Sequence, residues 1–214
     1  MSGNNALTEH ESKKLLSSYG LPITRETIVH SVEEAIEQSK LLGFPVVLKL
    51  NGNEYLHKTE LDGVKLNLGD ETAVKNAVLE LSQRFDKPIP LLLSEQVGSS
   101  REFIAGVTRN KDYGLTIAFG VGGIFAEIVG DVVFRLLPAT KSEIATMYDD
   151  LDHRALLAPF RGEPQTDLDA LTHALLAIGQ CALDRDDILS IDVNPILISE
   201  GKPIAVDALV VLHD

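Results

Sequence analysis

Residues 43–68 read GFPVVLKLNGNEYLHKTELDGVKLNL, and the rest of the chain is most easily read outward from them. Pro45-Val-Val-Leu-Lys-Leu50 is a β-branched apolar run of the kind that fills a buried strand, while Gly63-Val-Lys-Leu-Asn-Leu68 alternates with period two, as a half-exposed strand does. The polar loop Asn51 to Asp62 joins them. From Gly52 to Thr59 it comes within one residue of a phosphate-loop pattern, with His57 where the second glycine should be. The match fails, because a phosphate loop opens a helix whose first amides hold the phosphates, and Gly63 onward reads as a strand.

On the N-terminal side, Thr8 with Glu11 and Ser31 with Glu34 are capping-box pairs, and each opens a helical stretch, one reaching Tyr19 and the other Leu42. On the C-terminal side, Asp70 opens a third helix to about Phe85, and Pro90 to Val97 is a second buried strand. Gly98-Ser-Ser100 has no apolar anchor, which sets a lobe boundary between residues 1–97, leading helix included, and 98–214. Strands follow at Glu102 to Thr108, Leu115 to Phe119 and Glu127 to Leu137, then helices at Thr140 to Tyr148 and Asp167 to Asp184. The chain closes on a hairpin, Ile188 to Ile198 against Ile204 to Leu212.

A formal net charge of -13 repels a phosphodiester backbone and argues against nucleic acid as a partner. Cys181 is the single cysteine, so no internal disulfide forms and the cytosol is the default compartment. The most apolar run, Gly114 to Gly130, is cut by three glycines and Glu127, so neither a membrane span nor secretion is expected.

Four places carry possible chemistry. His57 is either a solvated loop histidine or a nucleophile, since an imidazole nitrogen accepts a phosphoryl group near neutral pH. Lys49 lies in a strand so apolar that it needs a phosphate or a carboxylate, or else an escape to the edge. Phe119-Gly-Val-Gly-Gly-Ile124 either exposes backbone amides to an anion or is a plain tight turn. Asp192 and Asn194 are two apart on one strand, and a matching hairpin register sets Asp207 opposite them. Those oxygens are either a polar hairpin face or ligands for a magnesium ion that bridges a nucleotide.

Taken in order, Leu7-Thr-Glu-His-Glu11, Tyr19-Gly-Leu-Pro22, Gly43 to Lys49, His57-Lys-Thr-Glu60 and Gly63-Val64 make the first part of a longer match. Arg101 to Arg109, Phe119 to Glu127, Phe134-Arg-Leu136, Arg161-Gly-Glu-Pro164, Asp192-Val-Asn-Pro195 and Ala205-Val-Asp207 complete it. The set resembles the ATP-grasp (β) subunit or domain of the NDP-forming acyl-CoA synthetases, the family of ADP-forming acetyl-CoA synthetase and a relative of succinyl-CoA synthetase. The resemblance implies an α+β ATP-grasp fold of two lobes gripping ATP or ADP between them, with Mg2+. It implies that Lys49 pairs with a phosphate, that Glu95, Gln96 and Val97 bond adenine, and that Glu102 holds the ribose. Gly122, Gly123 and Arg135 would face the phosphates, Asn194 and Asp207 would ligate magnesium, and Asp192 would orient a phosphohistidine at His57.

The implied activity is reversible ADP-forming ligation of a carboxylate to CoA, with a CoA-binding α subunit or fused domain supplying the other half of a hetero-oligomer. The alternatives are a silent ATP-grasp sensing module attached to an acyltransferase, and a ligase that passes an acyl phosphate to an amine. Two features depart from the family pattern. Asp62 replaces a usual glycine before Gly63, and Asn51 to Tyr55 lacks the usual Ser-Pro-Asp.

Overall fold

The computed structural model describes residues 5–52, 63–83, 90–123, 130–159 and 162–213. The chain folds as two compact units. One comprises Met1–Leu7, Glu11–Ile23 and Gly98–Asp214, and the other Thr8–His10 and Thr24–Val97.

The unit built on Thr24–Val97 holds strands β1 (Glu26–Val29), β2 (Val46–Leu50), β3 (Val64–Leu68) and β4 (Leu91–Glu95), with helices α2 (Val32–Leu42) and α3 (Glu71–Gln83). Its sheet runs β1-β4-β2-β3 and is antiparallel throughout. Ser31 caps α2 by accepting from the Glu34 amide, and Gly43 ends it at φ 90°, a backbone conformation costly for any residue with a Cβ. Val46, Leu48, Leu50, Leu91 and Leu93 face α2 and α3 and form the core. By alternation Val47, Lys49, Leu92 and Ser94 face the other way, and all four are buried. β3 departs from the clean alternation its sequence suggests. Its pairing with β2 shifts register between Val46 and Leu48, Asn67 stands at φ 58°, and Leu66 is exposed.

The second unit carries a six-stranded antiparallel sheet. Its strands are β5 (Glu102–Asn110), β6 (Gly114–Val121), β7 (Val132–Leu136), β8 (Ile188–Ser199), β9 (Lys202–Ala205) and β10 (Ala208–Leu212). Their order is β10-β8-β5-β6-β7, with β9 also on β8. The helices are α1 (Glu9–Ser18), which belongs here from Glu11 on, α4 (Lys141–Thr146) and α5 (Leu168–Asp184). Thr140 and Glu143 close a full capping box on α4, and Asp167 caps α5. One face of the sheet is buried: Val210, Ile191, Val107 and Ile117 lie in one cross-strand row of the core. Each such side chain contributes about 1.5 to 3 kcal/mol by leaving water.

Two expectations change here. Most of the leading helix belongs with 98–214 rather than with a 1–97 lobe. Leu16 and Leu21 are buried in that core, Ser12 Oγ accepts from the Val210 amide at 3.0 Å, and Lys13 Nζ donates to the Val206 carbonyl at 3.1 Å. The expected final strand, Ile204 to Leu212, is two strands, because Pro195 on the facing strand has no amide to continue the ladder. Around the break the Asn194 amide donates to Asp207 O at 3.2 Å and the Val206 amide to Pro195 O at 3.0 Å.

Candidate active site

In the six-stranded sheet most of the candidate residues share the face turned away from the core. Alternation along β5 and β8 sends Phe103, Ala105, Val107, Ile191 and Val193 inward and Glu102, Ile104, Gly106, Asp192 and Asn194 outward. The break in the hairpin sets Asp207 across from Asn194, and Asp192 lies two pairs further along, opposite Leu209.

Asp192 bears on Asp207 electrostatically. Its pKa is raised, first because the sheet strips water from part of the carboxyl and second because the Asp207 charge opposes its ionisation. Folded Asp192 therefore holds its proton to higher pH than it does in the unfolded chain, and stability falls as pH rises from the ordinary carboxylate range through the raised value. Asp192→Asn should accordingly melt at a higher temperature than wild type near pH 7 and at an unchanged one well below pH 4, as scanning calorimetry at both values would reveal.

Gly106 sits under Asp192. A Cβ there would meet the Ile191 carbonyl at 2.8 Å and stand 3.9 Å from Asp192 Oδ1, so only glycine lets β5 and β8 run this close. A glycine inside an otherwise apolar strand is the sequence signal for this position, and the motifs do not single it out. A shallow recess of about 290 Å³ opens over Gly106 and Ala118, with Asp192 in its wall.

At the end of the same face the glycine turn meets Glu102. The Gly122 amide donates to the Glu102 carbonyl at 2.7 Å, and a Cβ on Gly123, which has φ 81°, would lie 3.3 Å from Glu102 Oε2. Glu102, Gly122 and Gly123 are thus neighbours. Arg135 is not with them. It lies in the row of Ile117, on the core side of the sheet, and its guanidinium bonds Thr146 Oγ1 at 3.0 Å and the Asp150 carboxylate. The reason is parity: Phe134 and Leu136 take the outward positions on β7.

The other unit holds the remaining candidates. Lys49 has found a carboxylate. Its Nζ lies 2.8 Å from Glu9 Oε1, with side-chain exposures of 6% and 1%. Glu9 is a residue that sequence reasoning missed; the signal was a lysine in an apolar strand that required an anion. Beside this pair His10 Nδ1 is 3.0 Å from Glu26 Oε1, and Thr24 Oγ1 donates to Glu26 Oε2 at 3.2 Å.

The side chains of Glu95 and Gln96 are also engaged. Glu95 accepts from the Arg25 amide and Nε, both at 2.8 Å, and Gln96 exchanges two hydrogen bonds with Asn67, satisfying that residue's left-handed backbone. Their backbone amides are engaged too, Glu95 N donating to the Arg25 carbonyl at 3.0 Å and Gln96 N to the Pro45 carbonyl at 3.2 Å. His57 lies outside the described residues.

The sequence matches a family model described as the ATP-grasp domain over residues 1–212. The chain belongs to the ATP-grasp family. It is 34% identical over 215 residues, 98% of this chain and 93% of the relative, to the acetate–CoA ligase [ADP-forming] I subunit beta of Pyrococcus furiosus. Among solved structures, acetyl-coenzyme A synthetase 1 of Ca. Korarchaeum cryptofilum, in complex with coenzyme A, Ca-AMPCP and HgCl+, superposes with TM-score 0.92 at 34% identity, covering 99% of this chain and 95% of that one. A second structure of that synthetase, in complex with coenzyme A and Mg-AMPPCP and with its phosphohistidine segment pointing towards the nucleotide binding site, gives TM-score 0.85 at 35% identity over 98% and 93%. The two antiparallel sheets of this ATP-grasp chain are the α+β architecture that the resemblance implied. Among the described residues no helix is long and apolar enough to cross a membrane.

Proposed function

We propose that this chain is the nucleotide-binding half of an ADP-forming acyl-CoA synthetase, which joins a carboxylate to CoA with cleavage of ATP and runs in reverse to make ATP. The observation that carries the reading is the gathering of Glu102, Gly122, Gly123, Asn194, Asp207 and Asp192 on one face of one sheet, in a chain that matches ADP-forming ligase β subunits from end to end. Backbone amides of the glycine turn suit phosphate oxygens, and the Glu102 carboxylate suits a ribose hydroxyl pair. In the same reading Lys49 would pair with a phosphate and the Glu95–Val97 segment would bond adenine, as the resemblance implies.

The donor set fits magnesium. Asn194 and Asp207 present an amide and a carboxylate oxygen from facing strands, the hard ligands that Mg2+ takes alongside substrate phosphates and water. When bound, the ion would neutralise phosphate charge and hold the nucleotide in line. His57 then serves as nucleophile: a ring nitrogen bonds to the γ-phosphorus, the bond to the ADP oxygen breaks, and Asp192 orients the imidazole. The phosphoryl group passes to the carboxylate substrate, and CoA thiol displaces phosphate on a CoA-binding partner subunit or domain.

The cytosol is the compartment that supplies ATP and CoA and keeps Cys181 reduced; burial pushes that thiol up to about 11. Calorimetry on the chain alone tests the nucleotide site. ADP should bind, magnesium should tighten it, and Asp207→Ala should lose most of the magnesium dependence, a cost of about 1.5 to 3 kcal/mol for a charge-assisted contact. Absence of heat at millimolar ADP would remove the assignment.

A further inference from the structure

The Glu9–Lys49 pair is dry, and a dry ion pair contributes little to folding. Set against two apolar residues of the same volume, such a pair is neutral or unfavourable, because desolvating both charges offsets their attraction. Neither partner can be spared singly, since a lone ammonium on this face of β2, among Val47, Leu92 and Val64, loses its proton or drags in water. Packing alone would accept an aliphatic residue at position 49, as it does at Val47. An ammonium held against a buried carboxylate is therefore kept for something other than the core.

Glu9 is held where it is needed by its position at the start of α1, in the same compact unit as β2. Beside it His10 Nδ1 lies 3.0 Å from Glu26 Oε1, and Thr24 Oγ1 donates to Glu26 Oε2. An ammonium carries three N–H donors, and Glu9 Oε1 accepts one of them along a fixed direction. That bond fixes the rotamer of a four-carbon stem and keeps the nitrogen charged. We infer that Glu9 is the positioning residue for Lys49, holding its ammonium protonated and aimed so that a nucleoside-diphosphate oxygen meets a preorganised cation. The inference rests on the reading of Lys49 as a phosphate ligand.

A double-mutant cycle read by calorimetric ADP binding, with magnesium present and on the full chain, tests it. Glu9→Gln and Lys49→Met should each weaken ADP by about 10-fold or more, and Glu9→Asp should recover part of the loss. The Glu9→Gln/Lys49→Met protein should bind no worse than Lys49→Met alone, because a positioning residue has no effect on ADP once the lysine it positions is gone. A Glu9→Gln protein that binds ADP as wild type does while Lys49→Met does not, or two losses that multiply, overturns the inference and leaves the site reading standing. A Lys49→Met protein with wild-type affinity removes the lysine from the site, and the inference with it. Should Glu9→Gln fail to fold, Glu9→Met/Lys49→Met takes its place. That protein should melt at or above the wild-type temperature and bind ADP as weakly as Lys49→Met; wild-type affinity in it overturns the proposal.

Discussion

With its partner present, the His57→Ala protein should lose about 10³-fold or more of acyl-CoA formation and bind ADP with nearly unchanged affinity. The split follows from what a relay nucleophile does. It forms a bond only after the nucleotide is seated, so its removal deletes a chemical step and no ground-state contact. In the reverse direction, labelled acyl phosphate and partner should leave an acid-labile, base-stable label on the wild-type chain and none on the variant, because phosphoramidates hydrolyse in acid. Asp192→Ala should fall between the two, losing rate without losing nucleotide, as expected when an imidazole is present but poorly oriented. Normal turnover by His57→Ala, or a label confined to the partner, would leave His57 a loop residue and sink the relay for this chain.

What was legible in the sequence tracks how local the cause is. Ser31, Thr140 and Asp167 stand one residue before helices that they cap, and local strand signals over Glu102 to Thr108 and Ile188 to Ile198 placed β5 and β8. The pairing of Asn194 with Asp207 was also local, since hairpin register follows from a short connection. Causes that lie far apart in the chain were not legible. The carboxylate for Lys49 sits 40 positions away on α1, and nothing in the strand says which acid will arrive. Family resemblance puts Arg135 with the phosphates, yet alternation on a strand with Phe134 and Leu136 outward turns it to the core face, where Asp150 takes it. The leading helix likewise looks, in sequence, as though it belongs with the strands that follow it. Its apolar side is matched instead to the core of the other unit, whose strands begin about eighty residues downstream.

The largest loss of stability should come from Arg101, which no sequence motif marked as structural. Its side chain is 0% exposed and serves as a hub for the segment that follows the short 3-10 turn Arg154–Leu157. Nε bonds Glu163 Oε2 at 3.0 Å, NH2 bonds the Pro164 carbonyl at 2.8 Å, and NH1 reaches Thr166 Oγ1 at 3.1 Å and the Leu156 and Ala158 carbonyls at 3.4 and 3.3 Å. Glu163 closes the ring by accepting from the Ser100 hydroxyl and amide, and those two bonds, with Arg101 behind them, hold its carboxyl below the ordinary range. Arg101→Met keeps the volume but takes the guanidinium from three carbonyls and leaves the Glu163 carboxylate to its Ser100 donors alone. Removing one side of such a network costs about 3 to 5 kcal/mol, which in a chain of this size lowers the melting temperature by on the order of 10 °C. Because Glu163 titrates below its unfolded value, the stability it lends is present above that value and is lost as pH falls through the depressed one. The variant should therefore show a shallower loss than wild type as pH falls from the ordinary glutamate range through the depressed value, to the extent that Arg101 rather than Ser100 holds the carboxylate. Glu102 is the next residue along, so ADP affinity should drop in Arg101→Met as well, well below the melting transition. A variant that melts within about 2 °C of wild type would mean that water replaces the guanidinium and that the segment is held by its own turns.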